Sequence, residues 1–547
     1  MQEKISQIQN KSQTNLFKQI ITSCKRDFVL TIASTIATSI IVLSFGFCVK
    51  NIVDAIGGGA VDILLPILVF LFVAVMLCMF SFFRSYASNS MAEKFCNAKK
   101  LWIFEQTTKS QIKSVYDVGF EKLTSSIQAD FVKIRSAIGT NMPFFIRSSF
   151  TFVGSLIILF TISFKIALCS FGSIIVLLLP AFLLKKKLKA LSANITPMRS
   201  SLDSEVFDSI LNIKLVKIFS NEASEISIKQ AKINEIFALE KTRLKVRALF
   251  IAVAIFSVVV GSTVGIYLGN IAVINAELTA GDLGAFVLYS VMMTAGLAGA
   301  GENGVEFFRS FTSWRNILEI HSKLKPENLD CGSKIDKINE ISVNEIMFNY
   351  DKKENILIPN FTTKTGNPII LNAESGSGKT TFFDILTKFH FVDNGKISIN
   401  SIDINEISTA SIRNKIAYFN QQSAVMDKTL LENLQYSGEL NFDKIKQTMH
   451  NFNLQSLIER LEEKISNLSL SGGEKTRIGL CSAILKQANV YIFDEPTTGL
   501  DSDNSILIYG EINRLVESGK IVFIASHDYE LTNYFPNAKI INIVKSS

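Results

Sequence analysis

The chain has 547 residues, 48% of them apolar and 19% charged, with a formal net charge of +7. This length admits two or more domains. The Lys and Arg excess flanks apolar segments, so it reads as membrane topology and argues against nucleic acid as a partner. Seven dispersed cysteines without a C-x-x-C pair and four scattered histidines argue against a disulfide framework and a metal cluster.

Residues 1–27 are polar and lack the order of a cleaved signal peptide, so they are expected to form a cytoplasmic N-terminal segment. Uncharged apolar stretches follow at 28–49, 63–83, 148–164, 166–184, 248–276 and 283–301. A helix of about 20 residues crosses a hydrocarbon layer of about 30 Å, and lipid demands helices apolar on every face. A six-span domain over 28–324 is the expectation. Segments 51–62 and 277–282 carry no Lys or Arg, Lys165 stands alone between spans three and four, and 185–247 carries thirteen basic residues. Since the basic side is the cytoplasmic one, both termini, both long loops and the C-terminal domain are expected inside a multi-pass protein of the inner (cytoplasmic) membrane. Lys185–Lys189 is expected at head-group level, where it either anchors the orientation as basic residues on the inner side do or contacts membrane lipid as a partner.

The long segments between spans two and three and between spans four and five read as helices continuing into the cytoplasm. In the second, Val206, Ile210, Leu211, Ile213, Val216 and Ile218 recur at helical spacing. Gly281-Asp-Leu-Gly284 opens span six, whose helix runs on through Phe307, Trp314 and Ile320 until Pro326 and Gly332 break it. A linker is expected at 325–336 and an α/β domain at 337–547. Its β-branched runs (Ile369–Leu371, Ile397–Ile399, Ile416–Phe419, Val490–Phe493, Ile521–Ala525, Ile540–Val544) alternate with helical or loop segments, as in a largely parallel sheet.

Ile369 to Phe382 reads as strand, Gly-rich turn and helix start. Polyphosphate binding needs inward N–H groups, a lysine for charge and a hydroxyl for Mg²⁺. Gly376, Gly378, Lys379 and Thr380 supply these, with Ser375, Ser377 and Thr381 in the same turn; the loop begins with Ala373 in place of Gly. Val490-Tyr-Ile-Phe-Asp-Glu-Pro496 is an apolar strand ending in two acids, Asp494 for the Mg²⁺ shell and Glu495 to polarise the attacking water.

Between them stands Leu470-Ser-Gly-Gly-Glu474. The order P-loop, Gln421, LSGGE, Asp494-Glu495, Thr498-Gly-Leu-Asp501 and His527 resembles the ATP-binding cassette of ABC transporters. The resemblance implies a P-loop NTPase (ABC-type) domain behind a membrane α-helical six-span domain, using ATP and Mg²⁺. By the same resemblance Tyr350 stacks on adenine, Gln421 senses Mg²⁺ and couples to the membrane domain, Ser471 and Gly473 contact the γ-phosphate held by another subunit, Asp501 lies at the dimer seam, and His527 is the switch histidine. Val206 to Phe219 and Leu278 to Phe286 resemble the exporter branch. About 50 residues separate Gln421 from Ser471, a trimmed helical arm, Glu462 to Leu468 replaces the usual acidic-glycine segment, and Glu474 stands where Gln is commoner.

ATP-driven export by alternating access is the implied function, in a homodimer or with a related half-transporter; a membrane-anchored ATPase that moves no solute is the rival from another class. Forty-two Phe and many Ile and Leu point to a hydrophobic or amphipathic substrate. Glu302 and Glu306, near the inner end of span six, could bind a cationic cargo or pair with Arg309.

Overall fold

The structure is a computed structural model that describes residues 16–57, 63–350, 354–366, 368–372, 377–390, 394–420, 425–438, 440–468, 470–526 and 531–546. They form two compact units, one drawn from residues up to Glu105 and from Phe120–Ser322, the other from Gln106–Gly119 and from Lys323 onward.

The first unit is helical. Its long elements are α1 (Lys25–Gly57), α2 (Leu64–Thr108), α3 (Lys122–Ile162, with π-turns at Ser126–Asp130 and Ala137–Asn141), α4 (Phe164–Leu211), α5 (Glu222–Ile274) and α6 (Ala280–Lys323). Among the described residues α1, α2, α3, α5 and α6 are long and apolar enough to cross a membrane. The expected span 166–184 lies on α4, where side chains from 173 to 189 are outside the described residues. The 45 residues of α2 extend roughly 68 Å, about twice the hydrocarbon thickness, so the helix continues beyond its apolar part.

Thr31, Ser34, Thr35, Thr38 and Ser39 are buried along α1. Each donates its hydroxyl to a carbonyl three or four residues back, Thr35 Oγ1 to Thr31 O at 2.6 Å and Ser39 Oγ to Thr35 O at 2.8 Å among them, so no proton is left unsatisfied in an apolar setting. Helix α6 meets α1 closely: Tyr289 is fully buried and donates to Leu43 O at 2.7 Å, and a Cβ added at Gly46 would fall 2.2 Å from its ring. On α6, Arg309 Nη1 bonds Glu306 Oε1 at 2.6 Å, the structural alternative expected for Glu306.

The second unit holds two sheets. Strands β1 (Glu340–Tyr350), β2 (Glu354–Ile358), β3 (Phe361–Lys364), β4 (Pro368–Asn372), β5 (Asn394–Ile399), β6 (Ile402–Asp403), β7 (Ile416–Phe419), β8 (Val490–Asp494), β9 (Ile521–Ala525), β10 (Lys539–Asn542) and β11 (Val544–Ser546) follow in sequence. One sheet is parallel, in the order β10-β4-β9-β8-β7; the other is antiparallel, β11-β2-β1-β5-β6, with β3 also on β1. Every residue of β8 and β9 is buried, which is why both read as unbroken apolar runs. Two runs differ from the expected parallel sheet. Ile397–Ile399 belongs to the antiparallel one, and Ile540–Val544 divides at Ile543 between both sheets. Local apolarity does not encode strand direction, so these partners depend on remote chain.

Around the sheets stand α7 (Lys379–Leu386), α8 (Thr409–Lys415), α9 (Gly472–Leu485) and α10 (Ser502–Glu517). Helix α7 enters one core with Phe382 and Phe383, and Phe382 meets Phe361 and Phe523 edge to face at 5.9 Å each. Tyr491 and Phe493 face the other core, with Leu480 of α9 and Tyr509 of α10. Phe523→Ala should destabilise the cassette by roughly 3–5 kcal/mol, read as a lower unfolding midpoint in a denaturant titration, whereas Ile540→Ala, at a half-exposed position, should change it little.

Candidate nucleotide site

The parallel strands β4, β7, β8 and β9 end on one edge, with Phe419 beside Phe493 and Asp494 beside Ala525. In parallel α/β sheets this carboxyl edge is where ligands collect. Ala373, Ser375 and Gly376 of the loop after β4, Gln421 after β7 and His527 after β9 lie outside the described residues; Tyr350 ends β1 opposite Glu354, its side chain likewise outside.

Gly378 has φ +102° and caps the N-terminus of α7. A Cβ there would lie 2.6 Å from Ile356 Cδ1, so glycine is needed for both backbone angle and space. The turn leads into a helix start, whose free N–H groups and dipole favour an anion. Ser377, Lys379 and Thr381 are buried around it.

Lys379 Nζ stands 3.4 Å from Glu495 Oε1, and Thr380 Oγ1 donates to Asp494 Oδ2 at 2.8 Å. Four expected residues thus converge from two elements. Asp494 is 3% exposed, and burial pushes its carboxyl above the ordinary range, against the Thr380 hydrogen bond. Glu495 has φ +54°, an unfavourable backbone angle for a branched-free carboxylate residue, held by its N–H bond to Ala525 O at 2.8 Å. Thr498 Oγ1 reaches Glu495 Oε2 at 3.4 Å.

Ser471 and Asp501 are elsewhere in the unit. Ser471 caps α9 in a capping box: its Oγ accepts from Glu474 N at 3.2 Å, and Glu474 Oε2 accepts from Ser471 N at 2.8 Å. A Cβ on Gly473 would touch Leu500 Cδ2 at 3.0 Å. Asp501 caps α10, its Oδ1 accepting from Asn504 N at 2.9 Å, while Arg477 of α9 bonds Asn504 Oδ1. Ser471 and Asp501 thus cap the starts of α9 and α10, while Lys379, Thr380, Asp494 and Glu495 gather at the start of α7.

Sequence reasoning missed Asp384, on α7 beyond the motif. Burial, and then the neighbouring Asp494, push its carboxyl up to about 6. Its position five residues after Lys379 was the available signal, but only the fold brings it near Asp494. The native state therefore holds this proton more tightly than the unfolded chain, whose ordinary value is 3.8. The associated stability is complete below about pH 4 and is lost as pH rises through about 6. In nucleotide-free protein Asp384→Asn should raise the melting temperature at pH 7.5 and give a smaller gain at pH 5, measured by thermal unfolding at both values.

The ABC transporter transmembrane region family matches residues 28–297, and the ABC transporter family matches residues 358–498. A putative export ATP-binding/permease protein of Rickettsia bellii is 27% identical over 533 residues, covering 95% of this chain and 92% of that protein. The ATP-dependent permease MDL1 of Candida albicans is 24% identical, covering 81% of this chain and 68% of its own length. A bacterial Atm1-family ABC exporter solved with ATP bound superposes with a TM-score of 0.77 at 17% identity over 96% of each chain, a likeness of fold. With both family regions fused in this order, the chain belongs to the ABC transporter family, as an exporter-type half-transporter whose cassette hydrolyses ATP.

Proposed function

We propose that two copies of this chain form a homodimer that exports a hydrophobic or amphipathic substrate across the cytoplasmic membrane by alternating access. The observation that carries the reading is the convergence of Lys379, Thr380, Asp494 and Glu495 at one sheet edge. Each ATP then lies between the P-loop turn of one copy and Leu470–Glu474 of the other. Ser375 to Thr381 hold the phosphates and Tyr350 the adenine, while Ser471 and Gly473 meet the γ-phosphate across the interface beside Asp501. Glu495 serves as general base, with His527 as switch and Gln421 as sensor.

Thr380 and Asp494 fit Mg²⁺: two hard oxygen ligands stand 2.8 Å apart, and the buried carboxylate gains from a cation. Gln421 completes the set. A further support for a second chain is the short helix Ile213–Ile218, which has no buried residue although Ile213, Leu215 and Ile218 are large and apolar. We assign residues 1–27 to a cytoplasmic segment, 28–324 to the membrane domain, 325–336 to the linker and 337–547 to the cassette, with both termini cytoplasmic. Export, as opposed to import, follows the description of the Rickettsia relatives as export permeases.

Closure on ATP turns the spans outward and hydrolysis resets them, so the work comes from the difference in ATP affinity between the two states. Glu495→Gln should lower ATPase turnover by about 10²–10⁴-fold while labelled ATP still binds; undiminished turnover would remove Glu495 from its role. Mass measurement of the detergent-solubilised protein, expressed from one gene, should give a dimer; a monomer without ATPase activity would favour a heterodimer. Stimulation of ATPase activity by members of a lipid and amphiphile panel, with movement in sealed proteoliposomes, tests transport itself.

A further inference from the structure

Arg413, on α8, is engaged on every side. Its Nε donates to Thr387 O at 3.0 Å and its Nη2 to Lys388 O at 3.2 Å, the carbonyls just beyond the C-terminus of α7. Its other donors fork onto Glu327, Nη1 to Oε2 at 2.9 Å and Nη2 to Oε1 at 2.7 Å. The guanidinium also lies 4.5 Å from the Phe389 ring centre. Such a planar, bidentate arrangement is specific to arginine, and lysine can match its charge but not its fork.

Glu327 belongs to the segment following α6, and it is bound on its other side by backbone. Its N–H donates to Lys109 O at 2.8 Å, Gln111 N donates to Lys325 O at 2.9 Å, and Ser110 pairs with Pro326 in an antiparallel bridge. Lys325 N adds a bond to Ser114 Oγ at 3.2 Å. Residues 109–114 close the connection between α2 and α3. Glu327 thus joins two partners: its main chain meets the 109–111 tip of a helical hairpin, and its carboxylate, through Arg413, meets the far end of α7, the helix capped by Gly378.

We propose that the Arg413–Glu327 pair is a positioning device that transmits displacement of α7 on ATP binding to the 109–114 tip. Helix α7 is only eight residues long and is held at its far end by Arg413 and by buried Lys388, whose Nζ donates to Ile407 O at 2.7 Å. A shift of its phosphate-facing end therefore moves Thr387 and Lys388 as part of one rigid segment. The fork passes that shift to Glu327, and the bridge passes it to Lys109 and Gln111. The physical requirement is a continuous chain of directional bonds, in which lysine at 413 would leave the charge and remove the rigidity.

This inference rests on the reading of the P-loop turn as the ATP site, and its test separates the two. Hydrogen exchange is followed on the full chain in lipid nanodiscs, with and without Mg-ATP, in peptides covering 377–390 and 106–119. In the parent protein ATP should slow exchange in 377–390 and alter it in 106–119 by about fivefold or more. In Arg413→Lys and, independently, in Glu327→Gln, the response at 377–390 should persist and that at 106–119 should fall below about twofold. A merely structural role would weaken both responses together or neither. No response at 377–390 in the parent would overturn the nucleotide reading. A response there with an undiminished one at 106–119 in both variants, or none at 106–119 in the parent, would overturn the inference.

Discussion

Asp494 ends strand β8 with a carboxylate 3% exposed, and a buried anion must find a donor or a cation. Thr380 supplies the donor at 2.8 Å, which fixes the first turn of α7 against the end of β8. Much of the cassette follows from that contact. The chain leaving β4 has to reverse through Gly378 at positive φ to bring Thr380 there. Phe382 and Phe383, on the same helix, are carried between the two sheets, where they meet Phe361 and Phe523. Beyond the helix, the carbonyls of Thr387 and Lys388 fall within reach of Arg413.

The same unit turns its other polar helix ends outward. Ser471 closes a capping box on α9, Thr429 closes one on the short helix Leu430–Leu434, and Asp501 caps α10, so three helix starts are ordered by their own side chains. Caps of this kind contribute about 1 kcal/mol each and keep N–H groups oriented near the surface. At Ser471 the capping box orders the first turn of α9 in advance. The neighbouring Glu474 carboxylate is held below its usual range by Ser471, and stays charged beside that start. In the membrane unit the corresponding task is done by the hydroxyls of α1, which return to carbonyls of their own helix.

How readable each element was depends on how local its cause is. Val490–Phe493 and Ile521–Ala525 could be recognised because strands buried on both faces are apolar throughout. Ile397–Ile399 has the same texture but pairs antiparallel with β1, whose residues lie over fifty positions earlier. Strands β1, β2 and β3, the latter two both antiparallel to β1, mix apolar and polar residues, so they escape a reading based on apolar runs. Lys379, Thr380, Asp494 and Glu495 were legible because a phosphate turn and an acid-tipped strand each have a compact local pattern. Asp384 and Arg413 have none: one is a single acid on a helix, the other a single base, and their partners stand far along the chain.

By itself, then, the sequence determined the membrane helices, the order of the nucleotide motifs and the family they resemble, because length, apolarity and motif spacing are properties of short stretches of chain. Only the tertiary structure decided that Ile540–Val544 serves two sheets, that Asp384 loses its ordinary acidity beside Asp494, and that Arg413 grips Glu327 behind α7. The physical reason is common to all three. Strand partners, burial and a forked ion pair are relations between residues that chain order leaves distant, and they come into being only when the sheets and helices close around a shared core.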